Sequence, residues 1–148
     1  MDALNILVVD DSPIITRKLT MMVELLGHKV VKTAATGREA VVAYRACLPD
    51  LVTMDITMPE MDGIEATRLI LAEFSDARIV MVTSHGQERM VFDALKAGAR
   101  GYVLKPFDSH KVHEAIQKAL HRVLLKEKLQ SEVVLRAIGE AERDSPSE

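Results

Sequence analysis

The chain has 148 residues, 48% of them hydrophobic, with 19 Lys and Arg against 22 Asp and Glu for a formal net charge of −3. That length fits one domain with a real core, and basic residues scattered along a mildly acidic chain form no positive stripe for a phosphate backbone, which argues against a direct nucleic-acid partner. No apolar run approaches the roughly 18 to 20 residues that span a bilayer, the start MDALNILVVDDSP lacks the basic segment of a signal peptide, and the single cysteine excludes an internal disulfide and a Cys-based zinc cluster, so a soluble, cytoplasmic protein is expected.

The first β-rich run is LNILVV (4–9), which ends in Asp10-Asp11. Ser12 and Pro13 then suit the N-cap and first position of a helix whose apolar stripe is Ile15, Leu19, Met22, Val23 and Leu26. KVVKTA (29–34) follows, then a second helical segment with Ala40, Val41, Tyr44 and Leu48 on one side and Cys47 as packing filler near its end. DLVTMD (50–55) leaves one carboxylate, Asp55, where its apolar run stops, and the turn TMPEMDG leads into a third helix from near Gly63 to about Phe74. RIVMVTS (78–84) ends in Thr83-Ser84, and a fourth helix is expected from about Gln87 to Ala97. GYVLK (101–105) ends in Lys105-Pro106, and a fifth helix begins after Asp108 with Val112, Ile116, Ala119 and Val123 on one face.

Four of the five runs are nearly continuous apolar stretches, the pattern of strands covered on both faces. Strand and helix alternate throughout, so short parallel connections with right-handed crossovers give an α/β, doubly wound (βα)5 sandwich with flavodoxin-like strand order 2-1-3-4-5. Such sheets bind ligands beyond the carboxyl ends of their strands, where the order reverses between strands 1 and 3.

Asp10, Asp11 and Asp55 fall at that edge, and carboxylates crowded together repel and raise one another's pKa unless a cation holds them. Oxygen-only ligands point to Mg2+, with Mn2+ as the alternative, and such an ion asks for a phosphoryl oxygen. Lys105 offers a positive charge and Thr83 a hydroxyl donor for phosphoryl oxygens, which leaves the central Asp55 as nucleophile. Each residue also has a plain structural use. Asp10 and Asp11 suit a helix start, Asp55 a strand-terminal turn, Thr83 a strand, and Lys105 a solvated position before proline.

Taken in order, Asp10-Asp11 after an apolar strand, MDITMPEMDG around Asp55, Thr83-Ser84, and KPF at 105–107 resemble the receiver domain of two-component response regulators over roughly residues 4–122. The resemblance implies that Asp55 accepts a phosphoryl group from a phosphohistidine on a sensor histidine kinase or phosphotransfer protein. It implies that Asp10, Asp11, Asp55 and the main-chain carbonyl of Thr57 bind the metal, and that Thr83 and Lys105 contact the phosphoryl oxygens. It further implies a switch in which Thr83 turns toward the phosphoryl group and Tyr102 follows, although Tyr102 equally suits an ordinary interface or core position. Thr57 and His85 hold positions whose side chains in receivers flank the incoming water and tune phosphoryl lifetime, although His85 equally suits a simply exposed loop position, and Lys105–Pro106 is cis in the family, an isomer the sequence leaves open. His28, His110, His113 and His121 show no metal spacing and read as surface residues.

The division expected is a receiver domain over 1–124 and a C-terminal extension over 125–148. Leu125, Leu129, Val133 and Ala137 make a new apolar row on a lengthened fifth helix, suited to self-association or a partner helix, and ERDSPSE reads as disordered. The leading function is a phosphorylation-controlled binding module similar to stand-alone chemotaxis regulators, signalling to a protein target through the face of helix 4, strand 5 and helix 5. The alternative is a phosphorylation-independent scaffold that dimerises through the C-terminal helix. A dehalogenase-type phosphatase would need an acid at position 57, where Thr57 stands, so no turnover enzyme is expected. Flavin binding fails because Asp10-Asp11 would repel a flavin phosphate.

Overall fold

In the computed structural model, residues 3–84 and 86–121 are described. The elements are β1 (Asn5–Val9), α1 (Pro13–Leu25), β2 (Lys29–Ala34), α2 (Gly37–Cys47), β3 (Leu51–Asp55), α3 (Gly63–Glu73), β4 (Ile79–Ser84), α4 (Glu88–Ala97), β5 (Gly101–Lys105) and α5 (Ser109–Leu120). The sheet is parallel throughout in the order β2-β1-β3-β4-β5. The reversal between β1 and β3 therefore lies where the sequence places it.

Strand periodicity divides the core in two. On one face Leu7, Val9, Val52, Met54, Ile79 and Met81 pack with α2, α3 and α4. On the other, Ile6, Val8, Leu51, Val80, Val82 and Val103 pack with α1 and α5. All five residues of β3 are buried, so Asp55 ends the most enclosed strand of the sheet. Burying side chains of this size is worth about 1.5–3 kcal/mol each. A core of that strength can hold an unfavourable cluster of charge at its rim.

Local signals fix the helix starts that frame this rim. Ser12, Thr36, Asp62 and Asp108 cap α1, α2, α3 and α5, each side chain accepting from the backbone amide three residues on. Pro13 occupies the first turn of α1, as its fixed φ allows. Gly63 begins α3 because nothing larger fits. A Cβ there would stand 2.9 Å from the Asp55 carbonyl carbon, nearer still to its oxygen, and 3.0 Å from Met54 Cγ. The Gly63 amide donates to the Ile56 carbonyl at 2.7 Å, which closes the loop after β3.

Three expectations need correction. Leu48 is not part of the buried stripe of α2: the helix ends at Cys47, and Leu48 turns out with φ +43° and is 61% exposed. His28 is not a surface residue. It is buried beneath the start of β1, where Nδ1 accepts from the Leu4 amide at 3.1 Å, and burial followed by the nearby His113 holds its pKa below the ordinary 6.5. His113 is itself half-buried, whereas His110 and His121 are exposed as expected. Cys47 is half-buried at the end of α2, and burial raises its thiol pKa.

Candidate functional site

Asp10 follows β1, Asp55 ends β3, and Asp11 begins the turn into α1. Topology alone sets these three side by side, and one carboxylate oxygen from each lies within 4.8 Å of the others. Asp10 and Asp55 are buried and Asp11 is exposed. Asp10 Oδ1 accepts from the Ser12 amide at 2.9 Å, which fixes the carboxylate plane.

Lys105 reaches in from the end of β5. Its ammonium lies 3.2 Å from Asp10 Oδ2 and 3.4 Å from Asp55 Oδ1, and it donates a hydrogen bond only to the second. The Lys105–Pro106 peptide is cis. Burial, then the Asp10 carboxylate, push the Asp55 carboxyl up to about 7 from an ordinary 3.8, against the opposing pull of Lys105. One lysine cannot compensate for so much buried negative charge.

The residues present fit a hard cation. Asp10 Oδ2 is buried in an all-oxygen cluster, and the Lys105 ammonium stands 3.2 Å from it without an aligned hydrogen bond, which leaves the oxygen open to a second positive partner. A divalent ion with carboxylate ligands would supply the positive charge that one ammonium leaves uncompensated there.

Thr83 is fully buried on β4, one register step beyond the pairing of Asp55 with Val82. Its hydroxyl donates to Gln87 Oε1 at 2.7 Å and makes no bond to Asp55. Thr57 is exposed, and its hydroxyl accepts from Gln87 Nε2 at 2.6 Å. Tyr102 is 49% exposed on β5 and lines a cavity of about 270 Å3 with Glu88, Val91, Phe92, Leu95 and Leu104. The structure thus gathers Asp10, Asp11, Asp55 and Lys105 and places Thr83 and Thr57 at their border. Tyr102 lies apart, on the side of the sheet that carries α4.

His85 and the apolar row of 125–137 lie outside the described residues. The sequence reading missed Gln87, which joins Thr83 to Thr57. Nothing in composition marks it, since a glutamine at a helix start ordinarily faces solvent.

Comparison with known proteins agrees with this geometry. The family profile "Response regulator receiver domain" matches residues 6–117. The chemotaxis protein CheY of Bacillus subtilis is 45% identical over 117 residues, covering 79% of this chain and 98% of that protein. CheY of Thermotoga maritima is 42% identical over 114 residues, covering 77% and 95%. Among solved structures, a CheX–CheY–BeF3–Mg2+ complex from Borrelia burgdorferi superposes with a TM-score of 0.75 at 38% identity, covering 78% of this chain and 88% of that one. A LuxR-family response regulator from an Aurantimonas species gives 0.74 at 39% identity, covering 78% and 84%. With the strand order, the acidic edge and these matches in agreement, the chain belongs to the response regulator receiver domains of two-component signalling.

Proposed function

We propose that the chain is a phosphorylation-controlled binding module that accepts a phosphoryl group on Asp55 from the phosphohistidine of a sensor kinase or phosphotransfer protein. The observation that carries this reading is the meeting of Asp10, Asp11 and Asp55 oxygens within 4.8 Å, with the Lys105 ammonium bridging two of them.

A carboxylate attacks phosphorus only when ionised, and burial beside Asp10 holds the Asp55 proton on up to about pH 7. Mg2+, or Mn2+, held by Asp10, Asp11, Asp55 and the Thr57 carbonyl, would supply the positive charge that keeps Asp55 ionised and neutralises phosphoryl oxygens. An Asp55 oxygen forms the new P–O bond as the P–N bond of the donor breaks. The imidazole nitrogen leaves with the electron pair and takes up a proton. Lys105 and the Thr83 hydroxyl then contact the phosphoryl oxygens, because each is a donor at the border of the pocket.

Turning of Thr83 toward the phosphoryl group vacates space on β4 beside β5, and Tyr102, half-exposed over the α4–β5 cavity, is placed to follow. The output is a change in protein binding at the face of α4, β5 and α5, without turnover of a substrate. The proposed division is a receiver over 1–124 and an extension over 125–148 that serves self-association or a partner. The proposed site of action is the cytoplasm, and among the described residues no helix is long and apolar enough to cross a membrane.

Incubation with Mg2+ and phosphoramidate, followed by intact mass, tests the proposal. One added phosphoryl group that requires Mg2+ and is lost in Asp55→Asn is expected. No addition under any condition would replace this reading with a phosphorylation-independent scaffold.

A further inference from the structure

Four of the five helices carry an N-cap side chain that covers the first turn of its own helix; Gln87, at the N-cap of α4, makes no such bond. Its carboxamide instead bridges the end of β4 and the loop after β3. Oε1 accepts from the Thr83 hydroxyl at 2.7 Å and from the Ser84 amide at 2.8 Å, while Nε2 donates to the Thr57 hydroxyl at 2.6 Å. One side chain thereby ties the loop after β4 to the loop after β3.

A threonine hydroxyl has a single proton to donate, and phosphoryl oxygens only accept. A Thr83 that gives its proton to Gln87 cannot give it to a phosphoryl group on Asp55, so the two bonds exclude each other. Thr83 is fully buried, and no exposure to solvent eases the exchange.

We infer that Gln87 is a positioning residue for phosphoryl acceptance: its carboxamide holds the Thr83 hydroxyl away from Asp55 and ties the two loops until an incoming phosphoryl group takes that hydroxyl over. The inference rests on the function proposed for Asp55 and Thr83. The missing cap fits the same role, since the side chain that would cover the first turn of α4 is engaged by Thr83, Ser84 and Thr57 instead.

The test compares Gln87→Ala with Gln87→Met, which keeps length and bulk but removes both hydrogen-bonding groups. Two readouts on the full chain separate the inference from the function beneath it. The first is the rotamer population of Thr83 without any phosphodonor, from three-bond couplings to its methyl group. The second is the rate of Mg2+-dependent phosphorylation by phosphoramidate. One dominant Thr83 rotamer is expected in the wild type and averaging in both variants, with both phosphorylated about two- to tenfold faster, the effect of one released hydrogen bond. An unchanged rotamer in both variants, an unchanged rate in both, or a rise in Gln87→Ala that Gln87→Met lacks would overturn the inference; the last would show that the side chain only blocks access. If the wild type takes up no phosphoryl group, the function proposed for Asp55 falls, and the Thr83 rotamers still decide whether Gln87 restrains that hydroxyl.

Discussion

Replacing Asp10 by Asn should release the proton that burial and repulsion keep on Asp55. The carboxylate oxygens of Asp10 and Asp55 lie no more than 4.8 Å apart. At an effective dielectric of about 20, unit charges at that distance repel by about 3.5 kcal/mol, or about 2.5 pKa units. A shorter separation would raise that figure, and Lys105, which faces both carboxylates, screens them and lowers it. Burial is the larger cause of the shift and survives the substitution, so Asp55 should not return to 3.8. Its titration midpoint, about 7 in the wild type, should fall to between about 4.5 and 6. The substitution is conservative where it needs to be, since an Asn carbonyl can still accept from the Ser12 amide. The assay is a 13C NMR titration of the Asp55 carboxyl carbon in EDTA. Lys105→Met serves as the opposite control and should raise the midpoint, because it removes an attraction at 3.4 Å. A midpoint that stays near 7 in Asp10→Asn, or moves the same way in both variants, would refute the electrostatic account of the cluster.

The same shift predicts how stability follows pH in EDTA. The folded pKa of Asp55 lies above its unfolded value, so its contribution is present below about pH 4 and is lost as pH rises through about 7. Urea midpoints should fall over that interval, and added Mg2+ should restore them above it. His28 has the reverse sign: its depressed pKa gives stability above the unfolded value of 6.5 that is lost as pH falls below it, and His28→Gln should flatten that limb of the urea profile. Gly63→Ala should destabilise the fold by about 1–3 kcal/mol, because the new methyl drives into the Asp55 carbonyl group, and the loss should appear in urea unfolding. Asp62→Ala should cost about 1 kcal/mol by the same assay, through loss of the bond to the Glu65 amide at 2.9 Å.

What the sequence shows and what it hides have separate causes. Strand order and the acidic edge are legible because they rest on local signals: apolar runs that stop at Asp10 and Asp55, and helix starts at Ser12-Pro13 and Asp62-Gly63. The burial of His28 is hidden because it depends on a contact with Leu4 across 24 residues, which no periodicity encodes. Leu48 fits the helical stripe by spacing, yet a left-handed backbone at that one residue turns it outward. Gln87 is hidden for a third reason. Its partners are Thr83 at the end of β4 and Thr57 in the loop after β3, and the pairing of β3 with β4 brings both within reach of one carboxamide.

The bridging ammonium also bears on the ion valence that the proposed metal site would suit. With Asp55 ionised, three carboxylates and one lysine leave two negative charges in excess. A doubly charged ion restores neutrality, a singly charged ion leaves a residual charge facing the buried strand ends, and a triply charged ion overshoots. By that count Lys105 would act on valence: with methionine in its place and Asp55 ionised the excess becomes three, and the preference is expected to tip toward trivalent lanthanides.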